Sequence, residues 1–261
     1  MRHAGQQRQR RRGARRAIVA ACALACACAA HAQVSGSLGV VSDYRYRGYS
    51  LSDGDPALQA SIAYDADSGL YGGLFASTVR DAGEAGVQLV PYIGFARRDA
   101  QGRSWDVGAR WSHFTTDDAW NYAELHAGVT LRRVALRVHY APDYFGQVSD
   151  LYAEADGSVR VRERLRVLWH VGVSHSGSPD RPVYAQGPDP YPDNGYSNGR
   201  YANQGTDRTR IDLRTGLAFE TKVCDVQLTW QYVDDGDASP YAAPWDPNDR
   251  AGWVLGCAKH W

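Results

Sequence analysis

The stretch NYAELHAGVTLRRVALRVHYA (Asn121–Ala141) decides the fold. Its apolar residues recur at every second position: Leu125, Ala127, Val129 and Leu131, then Val134, Leu136, Val138 and Tyr140. Glu124, His126, Arg137 and His139 hold the opposite parity. A period of two sends the two sets to opposite faces of extended strands. Only Arg132-Arg133 separates the runs, so they pair as an antiparallel hairpin with one apolar and one charged face.

Working outward, the same alternation recurs along the chain. Strands are predicted at 34–50, 57–64, 70–79, 87–97, 104–114, 122–131, 134–140, 151–161, 165–174, 208–219, 223–232 and 250–261. That is an even number, twelve. The connections at 65–69, 99–103, 132–133, 162–164 and 220–222 are short. Those at 51–56, 80–86, 115–121, 141–150, 175–207 and 233–249 are longer in every case. Tight turns at one end and loops at the other are the asymmetry of a transmembrane β-barrel. An apolar face with aromatics near the strand ends fits lipid, and a sheet in lipid has to close because an unpaired edge cannot be solvated there. The expected fold is therefore all-β: a closed antiparallel barrel of twelve strands with both termini on the periplasmic side. The competing soluble β-sandwich would bury its apolar face and show no preference for an even strand number.

The ends of the chain support export and barrel assembly. All seven Arg before the first apolar run lie in residues 1–16, and AIVAACALACACAA (17–30) precedes the small-x-small site Ala30-His31-Ala32. This is the three-part pattern of a cleaved signal peptide. Fourteen apolar residues reach only about 21 Å as a helix, too short for the core of a bilayer. The expected organisation is a signal peptide at 1–32 and an outer-membrane barrel at 33–261. The neutral whole chain then becomes a mature chain with 22 basic and 29 acidic side chains that keeps all 29 aromatic residues. Its negative sign argues against nucleic acid as a partner. Cys22, Cys26 and Cys28 leave with the signal. Cys224 and Cys257 share the outward parity on the last two strands, and export makes them a disulfide candidate. Trp253, Leu255 and Trp261 lie on one face of the last strand, whose terminal Trp resembles the signal read by barrel-assembly machinery.

The segment SDYRYRGYSLSDGDPALQASIAY (Ser42–Tyr64) resembles the opening signature of the TorF-type porin family of bacteria. VPYIGFARR, SWDVGARW, NYAELHAGV and DLYAEADGSV look like the strand units of the same family, so the resemblance covers most of residues 34–261. It implies an outer-membrane location and pore activity, and supplies neither a substrate nor catalytic residues.

The candidate functional residues are the polar ones of inward parity, expected to line a pore: Asp43, Arg45, Arg47, Asp106, Arg110, Glu124, His126, Arg137, His139, Glu154, Asp156, Arg160, Arg166, His170, Arg210, Asp212, Arg214 and Asp225. In a lumen such charges tune ion preference. A plugged interior held by ion pairs is the other outcome, because a barrel of this size has limited room. Seventeen of the 29 acidic residues fall in the six longer connections, among them Asp53, Asp55, Asp117, Asp118, Asp234, Asp235 and Asp237. They form an expected negative outer rim that could hold divalent ions bridging lipopolysaccharide. Loop 175–207, rich in Gly, Pro and Tyr, is a candidate constriction or cover. Enzymatic activity is not expected: no G-x-S-x-G occurs, and Ser174 and His175, as strand neighbours, point to opposite faces. No metal or cofactor is expected. The partners expected are outer-membrane lipid and lipopolysaccharide, the assembly machinery, and small polar solutes or ions. The expected function is passive diffusion through the lumen; the alternative is a non-conducting structural or adhesive barrel whose acidic loops bind a partner or divalent ions.

Overall fold

The computed structural model describes residues 33–81, 83–146, 148–177, 208–234 and 250–261. The signal-peptide reading of 1–32 and most of loops 175–207 and 233–249, with Asp235 and Asp237, lie outside the described residues.

Fourteen strands are present among the described residues. They are β1 (Gln33–Val41), β2 (Arg45–Tyr46), β3 (Tyr49–Ser50), β4 (Ala57–Asp65), β5 (Leu70–Asp81), β6 (Glu84–Arg98), β7 (Arg103–Phe114), β8 (Tyr122–Leu131), β9 (Val134–Tyr144), β10 (Val148–Arg162), β11 (Leu165–Ser176), β12 (Arg208–Glu220), β13 (Asp225–Asp234) and β14 (Ala251–His260). All except β2 and β3 form one closed antiparallel barrel of twelve strands, in which β1 pairs with both β4 and β14. The founding hairpin has the register read from sequence, with Leu131 opposite Val134 and His126 opposite His139.

Closure happens at the seam between the first and last strands. β1 and β14 pair from Ser37↔His260 to Val41↔Gly256. Gly36 and Trp261 extend the ladder by exchanging backbone bonds, Gly36 N–H to Trp261 O at 3.2 Å and Trp261 N–H to Gly36 O at 3.1 Å. The Trp261 ring lies over Gly36, where an added Cβ would come within 2.5 Å of it. Cys224, in the turn before β13, is disulfide-bonded to Cys257 of β14, with Cα atoms 5.8 Å apart. The last hairpin is thus tied covalently beside the seam.

The pleat sorts the side chains. Apolar residues of one parity are exposed on the outside, including Ile93 at 64%, Leu125 at 61% and Trp253 at 65%. The opposite parity is buried inside and includes Gln88, Ser112, Glu124, His139, Tyr152, Ser174, Arg210 and Asp212. A surface that is apolar outside and polar inside inverts the soluble pattern. At the turn end, the Arg103 side chain and then its backbone N–H bind Asp99, and its carboxyl titrates below the usual range.

Two expectations need correction. The stretch 34–50 is not one strand. β1 stops at Val41, and Ser42 to Ser52 fold into the barrel, with Asp53 to Pro56 an exposed turn leading to β4, so Tyr44 and Tyr46 face the interior. The longer-loop rule also fails at two places. β5 and β6 run on to Asp81 and Glu84 with two residues between them, and β9 and β10 leave three between Tyr144 and Val148. At these positions the strands themselves rise past the others. One result is that Asp150, read as part of connection 141–150, is a buried lumen residue of β10.

The closed barrel should resist detergent: unboiled protein is expected to migrate differently from boiled protein on a dodecyl sulfate gel. Peptide mapping without reductant should recover the Cys224 and Cys257 peptides as one cross-linked species. Identical mobilities would contradict the barrel, and separate peptides would contradict the bond.

Candidate functional site

The lumen is filled from the loop end by residues 42–52, and the exposed residues 53–56 lead back to β4. β2 and β3 pair as a minimal hairpin, Arg45↔Ser50 and Tyr46↔Tyr49. Its two turn residues, Arg47 and Gly48, have φ of 49° and 87°. Positive φ at both central positions is the type I′ turn, whose twist matches that of paired strands. Gly48 is also required by space, since a Cβ there would meet Val233 Cβ at 2.6 Å. Arg47 accepts an uncommon backbone conformation for a non-glycine residue, at about 1–2 kcal/mol. Behind the turn, Asp43 accepts from Ser50 Oγ at 2.6 Å and from Arg45 Nε at 2.5 Å. Tyr44 donates its hydroxyl to Gln88 of β6 at 2.8 Å. Tyr49 and Leu51 join Val79, Phe114, Tyr122, Tyr144, Phe145, Val148 and Val233 in an apolar cluster inside the loop end of the barrel.

Arg47 holds this hairpin to the walls. Its Nη1 donates to Asp150 Oδ2 of β10 at 3.1 Å, and its Nη2 is hydrogen-bonded to Glu124 Oε1 of β8. The guanidinium lies over the Tyr152 ring, 3.9 Å from the centroid. Glu124 also takes Arg110 Nε at 2.9 Å and the Tyr46 hydroxyl at 3.1 Å. Asp150 also takes Ser176 Oγ at 2.6 Å, and the Ser174 hydroxyl is bonded to it too. Arg210 of β12 donates to Ser174 at 2.8 Å. These groups are nearly free of solvent: the side chains of Arg47, Glu124 and Asp150 are 4%, 0% and 1% exposed. Ions that far from water are tolerable only when each is paired and hydrogen-bonded, as these are.

Below the hairpin, towards the turn end, the lumen changes character. His126 Nε2 lies 3.0 Å from the Tyr71 hydroxyl and 3.1 Å from Asp106. Arg137 sits between Asp106 at 3.5 Å and Glu154 at 3.6 Å. His139 Nε2 is 3.0 Å from Glu154. His170 is flanked by Asp156 at Nδ1 and by Asp212 at Nε2, both at 2.9 Å. Tyr152 donates to Asp212 at 3.1 Å, and Arg214 donates to Asp156 at 3.0 Å. Small residues on neighbouring strands make room: a Cβ on Gly172 would lie 2.1 Å from the Tyr152 hydroxyl, and one on Gly108 2.7 Å from the His126 ring. The side chains of Asp156 and Arg214 remain about a third or more exposed, so water reaches this belt. Glu154, Asp156 and His170 each offer one ligand atom, and the three atoms lie within 4.8 Å of one another.

Of the residues expected to line a pore, Asp106, Arg110, Glu124, His126, Arg137, His139, Glu154, Asp156, His170, Arg210, Asp212 and Arg214 do face inward on barrel strands and meet one another there. Arg166 pairs with Glu220 near the turn end, Arg160 is exposed there, and Asp225 begins β13. Asp43, Arg45 and Arg47 belong to the inserted hairpin and not to the wall, which corrects their assignment. Sequence reading missed Tyr44, Tyr46, Tyr71, Gln88, Asp150, Tyr152, Ser174 and Ser176. A signal for the hairpin existed: a seventeen-residue strand is too long beside ten-residue neighbours, and Arg47-Gly48 between paired tyrosines is a turn dipeptide.

The network fixes an order of mutational costs. Removing one partner of a buried pair costs about 3–5 kcal/mol. After Arg47→Ala, Glu124 keeps Arg110 and Asp150 keeps its serines, so a loss near 3 kcal/mol is expected. Glu124→Ala leaves Arg110 without its carboxylate and Arg47 with Asp150 alone, so a larger loss, near 5 kcal/mol, is expected. Urea midpoints of the refolded barrel check the order, and the double variant should lose less than the two single losses combined.

No curated protein sequence matches the chain. Among solved structures, the KdgM porin and the NanC porin are each similar with a TM-score of 0.46 and 10% identity, over 87% of this chain and 98% of theirs. OmpT, an outer-membrane protein of Vibrio cholerae, is similar with a TM-score of 0.37 and 10% identity, over 88% of this chain and 97% of its own. A family model described as "Bacterial protein of unknown function (Gcw_chp)" matches residues 25–207, more than half of the sequence, and the chain belongs to that family.

Proposed function

We propose that this protein is an outer-membrane barrel of porin type, a conduit for small polar solutes or ions that rests closed by its own 42–52 hairpin. The outward face supports the membrane. On β10, Leu151, Ala153, Ala155, Gly157, Val159 and Val161 are all outward and uncharged. Ten residue steps of about 3.3 Å, tilted by roughly 40°, span about 25 Å, the height of the apolar band of such barrels. Phe95, Trp105 and Phe219 near the turn end and Trp111, Tyr140 and Trp253 towards the loop end supply aromatic girdles. The resemblance of Ser42–Tyr64 to TorF-type porins agrees with this assignment.

One observation carries the conduit reading: the barrel fills its two halves differently. The loop half is packed with Phe114, Tyr122, Tyr144 and Val148 around the hairpin. The turn half keeps ionisable, partly hydrated side chains on consecutive strands β7 to β12. An interior that only needed filling would continue the aromatic packing. A charged, wet vestibule suits polar solutes, and the mixed signs of its charges imply weak selectivity.

The second reading is a non-conducting structural or adhesive barrel whose acidic loops bind a partner or divalent ions. The burial of Arg47 and its pairing with Glu124 and Asp150 favour it, because such a plug is costly to remove. In either reading the surroundings are outer-membrane lipid and lipopolysaccharide, and the assembly machinery is the partner that inserts the chain.

Planar-bilayer recording from the folded protein separates the two. Wild type is expected to show rare openings, and Arg47→Ser, which frees the hairpin tip, frequent ones. If neither protein produces discrete current steps at any voltage, the conduit reading falls and the structural one stands.

A further inference from the structure

We propose that Glu154, Asp156 and His170 form a site for one divalent transition-metal ion within the lumen, and that Asp212 acts as its positioning carboxylate. The donors come from two adjacent strands. Glu154 and Asp156 are alternate inward residues of β10, and Asp156 is directly opposite His170 of β11. This register brings two carboxylates and an imidazole together, their ligand atoms within 4.8 Å of one another.

The charge around the site supports a cation. At the hairpin level the carboxylates of Glu124 and Asp150 face the guanidiniums of Arg47, Arg110 and Arg210. In the belt below, Asp106, Glu154, Asp156 and Asp212 meet the guanidiniums of Arg137 and Arg214 and the imidazoles of His126, His139 and His170. Four carboxylates against two guanidiniums leave two negative charges, apart from the histidines. His170 stands where three of the four carboxylates meet. A divalent ion there adds positive charge where those carboxylates converge.

The chemistry of the donors selects the kind of ion. One imidazole nitrogen and two carboxylate oxygens suit zinc and neighbouring first-row divalent ions, with water completing the shell. Calcium and magnesium prefer oxygen donors alone. The surroundings of His170 match a ligating histidine. A metal-bound imidazole commonly presents its second nitrogen to a carboxylate, which fixes the ring. His170 Nε2 meets Asp212, and Asp212 is itself held by the Tyr152 hydroxyl. This leaves Nδ1, on the Asp156 side, as the ligand atom. Arg214 competes for Asp156, but its side chain is 44% exposed and free to withdraw into the vestibule. The Asp156 side chain is 35% exposed with the hairpin in place, so solvent reaches this ligand whether or not the lumen conducts.

The test is calorimetric titration of Zn²⁺ into the full chain, folded in detergent and freed of metal by chelator, with heat-dependent gel mobility confirming that every variant is folded. Wild type is expected to bind one ion per chain with high affinity. His170→Gln and Asp156→Asn should each weaken binding at least about tenfold, and Asp212→Asn about tenfold through its hold on the ring. Arg214→Met, which removes the competing cation and no ligand, should tighten it. Absence of binding to wild type at tenfold molar excess overturns the proposal, as does equal affinity in folded wild type and folded His170→Gln.

Discussion

Every other feature of this protein depends on the seam between its first and last strands. A sheet facing lipid has no solvent for an unpaired N–H or C=O, so the edge of β1 must find the edge of β14. The pairing from Gly36–Trp261 to Val41–Gly256 supplies it. Position 36 carries no side chain, so the Trp261 ring can lie over it. Once the seam is closed, each strand has fixed neighbours and each residue has a fixed side. Apolar residues of one parity then lie on the outer face, and the polar side chains of the other parity have only the interior to occupy.

Confinement explains the interior. A twelve-stranded barrel encloses too much space for its wall side chains to fill and too little for bulk water to solvate every charge. The chain uses two solutions. At the loop end it inserts its own hairpin, and the ionic groups of the wall pair with Arg47. The positive φ of Arg47 makes local geometry unfavourable, but the turn aims the guanidinium at two carboxylates on different strands that would otherwise be less well compensated. At the turn end no segment is inserted among the described residues, and hydration with side-chain pairing performs the same task. The border runs between Glu124 and His139, whose Nδ1 lies 3.6 Å from Glu124 Oε1, so the two regions touch electrostatically.

Legibility in the sequence followed the range of the interaction involved. Alternation is local, so strand parity, the even strand number and the outward cysteine pair could be read from residues two apart. The assignment of Asp106, Glu124, His139 and Asp212 to the interior needed nothing more. The hairpin could not be read the same way. Asp43, Arg45 and Arg47 alternate with Tyr44 and Tyr46 as a strand would, because a hairpin arm is also a strand. What distinguishes it is the tertiary fact that Arg47 meets Glu124 and Asp150, seventy-seven and 103 positions away. The grouping of Glu154, Asp156 and His170 failed for a related reason. Parity announces that all three face inward, but only the β10–β11 register sets Asp156 opposite His170.

The net charge of zero is a poor guide to such a molecule, because the charges act where they are held and not as a sum. A more telling feature is positional. Ser42–Ser52 fills the loop end of the lumen, and the chain then turns back to form β4. Strand segments elsewhere need only alternate, and many residue choices satisfy that demand. The hairpin has narrower tolerances: a glycine beside Val233, an arginine within reach of two carboxylates, an aspartate bracketed by Ser50 and Arg45, and a tyrosine long enough to reach Gln88. Those tolerances make the filled loop end of the lumen, rather than the wall around it, the part of the fold that function has to explain.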